Sequence, residues 1–298
     1  MLFRSLWQER ADRSHSALID QLWQQDLGRF MYYKDPLGLV RPDGQYHTMI
    51  YPALFDLVDP LDSWTSIRHL RDRLMGKQGE VYASNNFPSH MPSTSGVQAG
   101  AAQQPWGAWG LASVGLRNET WRPLAAVAGG VSGPVLQGSW PEMSDQVNIA
   151  TYFSPPAGLF IQSTVEALFG IQPRLAEGYL QIRPSFPDHW PSASIDLPDY
   201  QAWYNRDGNT LTYKIQCNNP LPLRLRWSLP PGDVRRVRLN GKRADYKAQP
   251  GVGCIELQIH IPAASEATFE IKLRPVESGL QGPRSLAEGQ TAAFEMPG

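Results

Sequence analysis

Three carboxylates stand out by their settings. Glu142 lies in Gly138-Ser139-Trp140-Pro141-Glu142, Glu80 opens a long aperiodic stretch, and Asp43 sits in Pro42-Asp43-Gly44-Gln45. A carboxyl group beside an apolar ring suits general acid or general base work, because local desolvation tunes its proton affinity while the ring offers a flat face to a ligand. That setting makes Glu142 the first catalytic candidate, suited to either role, against the plainer reading of a solvated loop glutamate. Glu80 and Asp43 are candidates for a second, acidic partner, although Asp before Gly is also ordinary turn chemistry. Around them Asn85, Asn86, His90, Gln98, Gln103, Gln104 and Tyr152 could bind hydroxyl groups, with Trp140 as a stacking wall. Amides both donate and accept; equally, they could satisfy the backbone of their own loop.

The elements that must position these residues are helices in the first part and strands in the second. Hydrophobic spacing predicts helices over about Leu2 to Phe30, near His47 to Leu57, and from Pro60 to Gly76, where Leu61, Trp64, Ile67, Leu70 and Leu74 form a stripe. Between Lys77 and Gln104 no period persists, which suits a functional loop. Pro105 opens the next helix, and the glycines alternating with Trp106 and Trp109 imply close approach of a neighbouring helix. These two tryptophans read as core before subsites. Another helix follows over about Thr120 to Val131. Ser154-Pro155-Pro156 then reads as the cap and first turn of an apolar, central helix ending at Gly170.

After Gly178 short strands dominate. Asp207-Gly208 and Asn240-Gly241 mark hairpins, and the spacing fits an antiparallel sandwich. The tail from about Pro275 has the composition of a disordered segment.

Composition narrows the function. The chain has 298 residues and a formal net charge of -1, which gives no electrostatic case for nucleic acid or an anionic membrane. Cys217 and Cys254 are too few for a disulfide framework or a structural zinc site and are expected to be inert core residues. His47 and His90 lack metal-ligand spacing, and phosphate-binding, kinase and zincin patterns are missing, so neither metal nor cofactor is expected. No signal peptide or membrane span is visible from Met1 onward, implying a cytoplasmic protein if Met1 is the true start, and leaving a periplasmic or secreted place open otherwise.

The Trp-Pro-Glu loop, the apolar helix ending Ala167-Leu168-Phe169-Gly170-Ile171 and the strand Leu180-Gln181-Ile182-Arg183-Pro184 together resemble bacterial six-hairpin (α/α)6-barrel glycoside hydrolases, nearest to the α-L-rhamnosidase type. The likeness covers about residues 45 to 273. It implies an α+β multidomain chain: a partial (α/α)6 toroid over residues 1–177 and an antiparallel β-sandwich over 178–273. It also implies Glu142 as general base, Trp140 as a sugar-stacking wall, and a glycoside or oligosaccharide as substrate. Pro141 separates the Trp from the Glu, which are adjacent in the family. The helices here also fall short of a complete barrel, so the chain reads as a fragment or remnant, with a homodimer or a missing N-terminal half as partner. Glycoside hydrolysis needs two carboxyl groups about 6.5–9.5 Å apart for inversion or about 5–5.5 Å for retention. The alternatives are a non-catalytic carbohydrate-binding half barrel and a phosphorylase of the same architecture.

Overall fold

The computed structural model describes residues 2–83, 100–132, 140, 142 and 153–275. Asn85, Asn86, His90, Gln98 and Tyr152, and the tail beyond 275, lie outside the described residues.

Helix α1 (Leu2–Leu22) stops short of the expected Phe30. Gly28 takes φ +59° and turns the chain back, so that β1 (Trp23–Gln24) pairs with β2 (Arg29–Phe30). A second ribbon pairs β3 (Tyr33–Lys34) with β4 (Val40–Arg41). Helix α2 (Tyr46–Leu54) begins at Gln45, whose extended backbone and side-chain oxygen, accepting from Thr48 N–H at 3.2 Å, form the cap. Helix α3 (Pro60–His69) begins with Asp59, whose carboxylate accepts from Leu61 and Asp62 N–H, and with Pro60 where no N–H is needed. It continues as a wider π-turn over Leu70–Leu74.

The expected stripe buries Ile67, Leu70 and Leu74 against Met49, Ile50, Val81 and Leu111, although Leu61 stays exposed. Helix α4 (Gln103–Ser113) reaches this cluster through its glycines. A Cβ on Gly110 would lie 2.9 Å from Ile50 Cγ1 and 3.0 Å from Ile67 Cδ1, and one on Gly107 would lie 2.6 Å from Val81 Cγ2. The alternation of Gly with Trp is therefore the mark of packed helices.

Helix α5 (Arg117–Val131) is followed by α6 (Pro155–Ser163), which continues as a π-turn over Thr164–Leu168 and stops at Gly170, φ +73°. Ser154 is not the expected cap: it is already in the helical region and makes no capping bond. Nor is α6 central. Ser163 is buried, yet Ile161 is 61% exposed.

The strands form one nine-stranded sheet: β5 (Ile171–Arg174), β6 (Tyr179–Ile182), β7 (Ser192–Asp196), β8 (Tyr200–Asp207), β9 (Thr210–Leu229), β10 (Gly232–Leu239), β11 (Lys242–Arg243), β12 (Lys247–Gly251) and β13 (Cys254–Pro275). Its spine is the antiparallel pair β9–β13, from Thr210↔Lys272 to Leu229↔Ile255, with register shifts at Ile261/Ala263 and Ala264/Glu266. The shifts divide the pair into two arms. One arm carries β8 and β10, the other β12 and β6, the last of which is parallel to β9. Trp227 of one arm packs edge-on to Tyr204 and Tyr213 of the other, with centroids 6.2 and 6.0 Å apart. Both hairpin signals hold. Asp207↔Thr210 closes the first and Leu239↔Lys242 the second, where Asn240 and Gly241 both take positive φ.

Several contacts tie helices to sheet, among them these. Phe169 C=O accepts from Tyr213 O–H at 2.8 Å. Thr120 Oγ1 and Ser185 Oγ lie 2.9 Å apart. Asp188 accepts from Arg117 through two bonds (2.9 and 2.6 Å), from Arg206 at 3.0 Å and from Asn118 at 3.0 Å. Both cysteines are free and buried, and no described helix is long and apolar enough to cross a membrane.

Candidate active site

The chain segments bearing the candidate residues are gathered where α4 begins. Gln104 is wholly buried there, and its amide makes three bonds to backbone. Its Oε1 accepts from Val81 N–H at 2.6 Å, while its Nε2 donates to Val81 C=O and Gly100 C=O at 2.9 Å each. Gln103 adds a bond from Gly100 N–H to its own Oε1 at 3.0 Å. Next to this knot, Ala101 N–H donates to Glu142 C=O at 2.6 Å. The chain holding Glu80 is thereby joined through Val81, Gln104, Gly100 and Ala101 to the chain holding Glu142.

Each candidate has its own surroundings. Glu142 is half-buried and held by its backbone. Trp140, also half-buried, accepts at its carbonyl from Phe153 N–H at 2.8 Å, and its indole lies 5.4 Å from the Phe160 ring on α6. Glu80 folds onto its own turn, accepting from Tyr82 O–H at 3.3 Å, while its Oε2 is buried without a partner among the described residues. Asp43 stands near Arg29, whose guanidinium donates to Pro42 C=O at 3.1 Å. Its segment is linked to the others where Tyr46 N–H donates to Ala83 C=O at 3.2 Å. The two glutamines thus act through the backbone that they fix.

The structure adds an aromatic group that sequence reasoning did not collect. His47 lies 3.8 Å from Tyr46, 5.0 Å from Tyr51 and 5.0 Å from Trp106, centroid to centroid. Burial drops the His47 pKa to about 4, so the ring is neutral. Its tautomer follows from its neighbour. Gln45 Oε1 faces Thr48 N–H, which turns Gln45 Nε2 toward His47 Nδ1 at 3.3 Å and leaves the proton on Nε2. That Nε2 is buried and has no partner among the described residues. A donor framed by three rings is suited to a ligand hydroxyl. The available signal was the spacing of His47 and Tyr51, one helical turn apart on a face shared with Trp106.

Chemically, the start of α4 thus assembles two carboxylate-bearing segments, an indole, and a neutral imidazole N–H on the neighbouring helix. No group of three or more metal-ligating side chains occurs among the described residues.

No protein-family model and no curated protein matches the chain. Solved structures do match. One is the α-L-rhamnosidase of Streptomyces avermitilis complexed with L-rhamnose, at TM-score 0.50 and 15% identity, over 81% of this chain and 23% of that one. Another is the α-L-rhamnosidase of Dictyoglumus thermophilum, at TM-score 0.51 and 11% identity, over 90% of this chain and 28% of that one. The chain therefore has a glycosidase-like α+β fold and spans about a quarter of the length of the rhamnosidases that share it.

Proposed function

We propose that the chain is a carbohydrate-active glycoside hydrolase, or a fragment of one that lacks the N-terminal half. Residues 1–177 form an arc of an (α/α)6 toroid, and residues 178–273, with β5 contributed by Ile171–Arg174 at the end of the helical part, form a β-sandwich made by folding the nine-stranded sheet at the bulges of β9 and β13. The observation that carries the reading is the hydrogen-bonded junction at the start of α4, which brings the Glu142 and Glu80 segments together. Glu142 activates water as general base, and Trp140 receives the apolar face of a sugar ring. Glu80 is the acid candidate ahead of Asp43, because its chain is joined to that of Glu142. His47 Nε2–H binds a ligand hydroxyl.

The test is turnover of a panel of aryl glycosides, α-L-rhamnosides included. Glu142→Gln lowers kcat by about 10²–10⁴-fold while leaving substrate affinity nearly unchanged. Wild-type turnover in that variant would overturn the assignment. A second reading, a half barrel that binds oligosaccharide without cleaving it, is favoured by the exposure of Ile161 on α6. Such an edge suits a second copy or a preceding half of the protein as a covering partner. Sugar binding with no release of reducing ends supports the binder, and turnover that requires inorganic phosphate supports a phosphorylase.

A further inference from the structure

Two cavities, of about 470 and 420 Å³, adjoin at the far end of α4, roughly 15 Å along the helix from Gln103. Asp56, Ser113, Arg183 and Arg226 line both, and Phe55 and Trp109 line the larger one. Arg183 comes from the Ile182-Arg183-Pro184 segment, which takes no part in the active site proposed above. Its backbone N–H is fixed on Gly170 C=O at 2.8 Å, and one η nitrogen donates to Ser113 C=O at the end of α4. Its Nε is buried without a partner, and no carboxylate lies within 4.0 Å of it among the described residues. Burial and the neighbouring Arg226 pull its pKa down to about 10, the mark of a poorly compensated cation.

The acids close by do not resolve this. Glu256 is already engaged, taking Arg226 Nε at 3.1 Å and the Ser228 hydroxyl. Asp56 is exposed, where water screens it. Arg174, whose charge acts on Glu166, lines the larger cavity with Glu166 and Glu177, and Arg183 and Arg226 line both cavities where they join.

We propose that this junction binds a small organic oxyanion of sugar size, a sugar acid or a sugar phosphate. Its oxygens take the Arg183 Nε–H and the Arg226 η nitrogens, and its body lies against Trp109 and Phe55. A guanidinium fork matches a carboxylate or phosphate edge, and the volume suits a single sugar unit. The site is separate from Glu142 and does not depend on its role.

The experiment is calorimetric titration of the full chain with glucuronate, glucose 6-phosphate and glucose. Either anion binds at least ten-fold more tightly than glucose, and which of them does so tells a carboxylate site from a phosphate site. Arg183→Gln and Arg226→Gln each weaken the anion at least ten-fold and leave glucose unchanged, whereas Glu142→Gln has no effect. If Arg183→Gln does not fold by circular dichroism, Arg226→Gln and Trp109→Ala decide the matter. Anions that bind no better than glucose, no binding at all, or folded variants with wild-type affinity overturn the proposal.

Discussion

Replacing Gln104 with alanine tests the architecture of the active site most directly. Its amide satisfies one N–H and two carbonyls of a backbone that has no other route to water there. Each buried group left without a partner costs about 1–3 kcal/mol. Some relief by an entering water is allowed by the small cavity left behind, so the loss is about 3–6 kcal/mol, a large part of an ordinary domain's stability. Gln104→Glu keeps the size and the bond to Val81 N–H but turns an oxygen toward two carbonyls. It is therefore no better than alanine at neutral pH and recovers below about pH 4.5, where the protonated acid donates one bond. Urea unfolding followed by tryptophan fluorescence gives the energy, and amide exchange at Val81 and Ala101 reports whether the knot has opened. A Gln104→Ala cost below about 1 kcal/mol with unchanged exchange at both positions would refute the reasoning.

Two further outcomes follow from the charges. His47 and His69 both have their pKa lowered to about 4 by burial, aided at His69 by Arg29. In the unfolded chain both titrate near 6.5, so unfolding takes up protons between those values; the stability they contribute is complete above about pH 6.5 and lost as pH falls toward 4. The urea midpoint should fall from pH 7.5 to pH 5 by an amount that His69→Gln reduces; a flat midpoint contradicts this. Burial alone would raise the Asp188 carboxyl, but hydrogen bonds and charge from Arg117, with help from Asn118 and Arg206, bring it below the ordinary range. Asp188→Asn leaves the two guanidiniums without their shared carboxylate, costing roughly 2–4 kcal/mol once partial exposure is allowed for. Thermal melts measure it, and a loss within error of zero would show that the helix–sheet clamp is dispensable.

What could be read from the sequence was whatever depended on neighbours in the chain. Gly107 and Gly110 announced close packing because only a missing Cβ lets Val81, Ile50 and Ile67 come so near. Asn240-Gly241 announced its turn because two consecutive positive φ values demand those residue types. The extension of α1 to Phe30 failed because apolar spacing says nothing about where a glycine will reverse the chain, as Gly28 does. Ser154 failed as a cap because its backbone is already helical, Pro156 has no N–H, and the Ala157 N–H bonds to the Ser154 carbonyl and not to its side chain. Of the candidate site, Glu142, Glu80 and Trp140 are proposed from type and setting. The backbone role of Gln104 could not be, since Val81 lies 23 residues away, and the His47 group needs two helices laid side by side.

The β9–β13 spine bears on the order in which the molecule assembles. At Leu229↔Ile255 the paired residues are about 26 apart in sequence, whereas at Thr210↔Lys272 they are about 62 apart. Closing the longer loop first costs about 0.8 kcal/mol more in chain entropy, a modest bias. The pairing is best begun near Leu229 and zipped outward across the bulges, with β10, β11 and β12 enclosed in the growing loop. A nascent chain therefore cannot complete this spine until Lys272 has left the ribosome. Until then Tyr213 and the sheet-facing Phe169 wait with their apolar surfaces uncovered, and the part of β13 around Phe269 governs how long that exposure lasts.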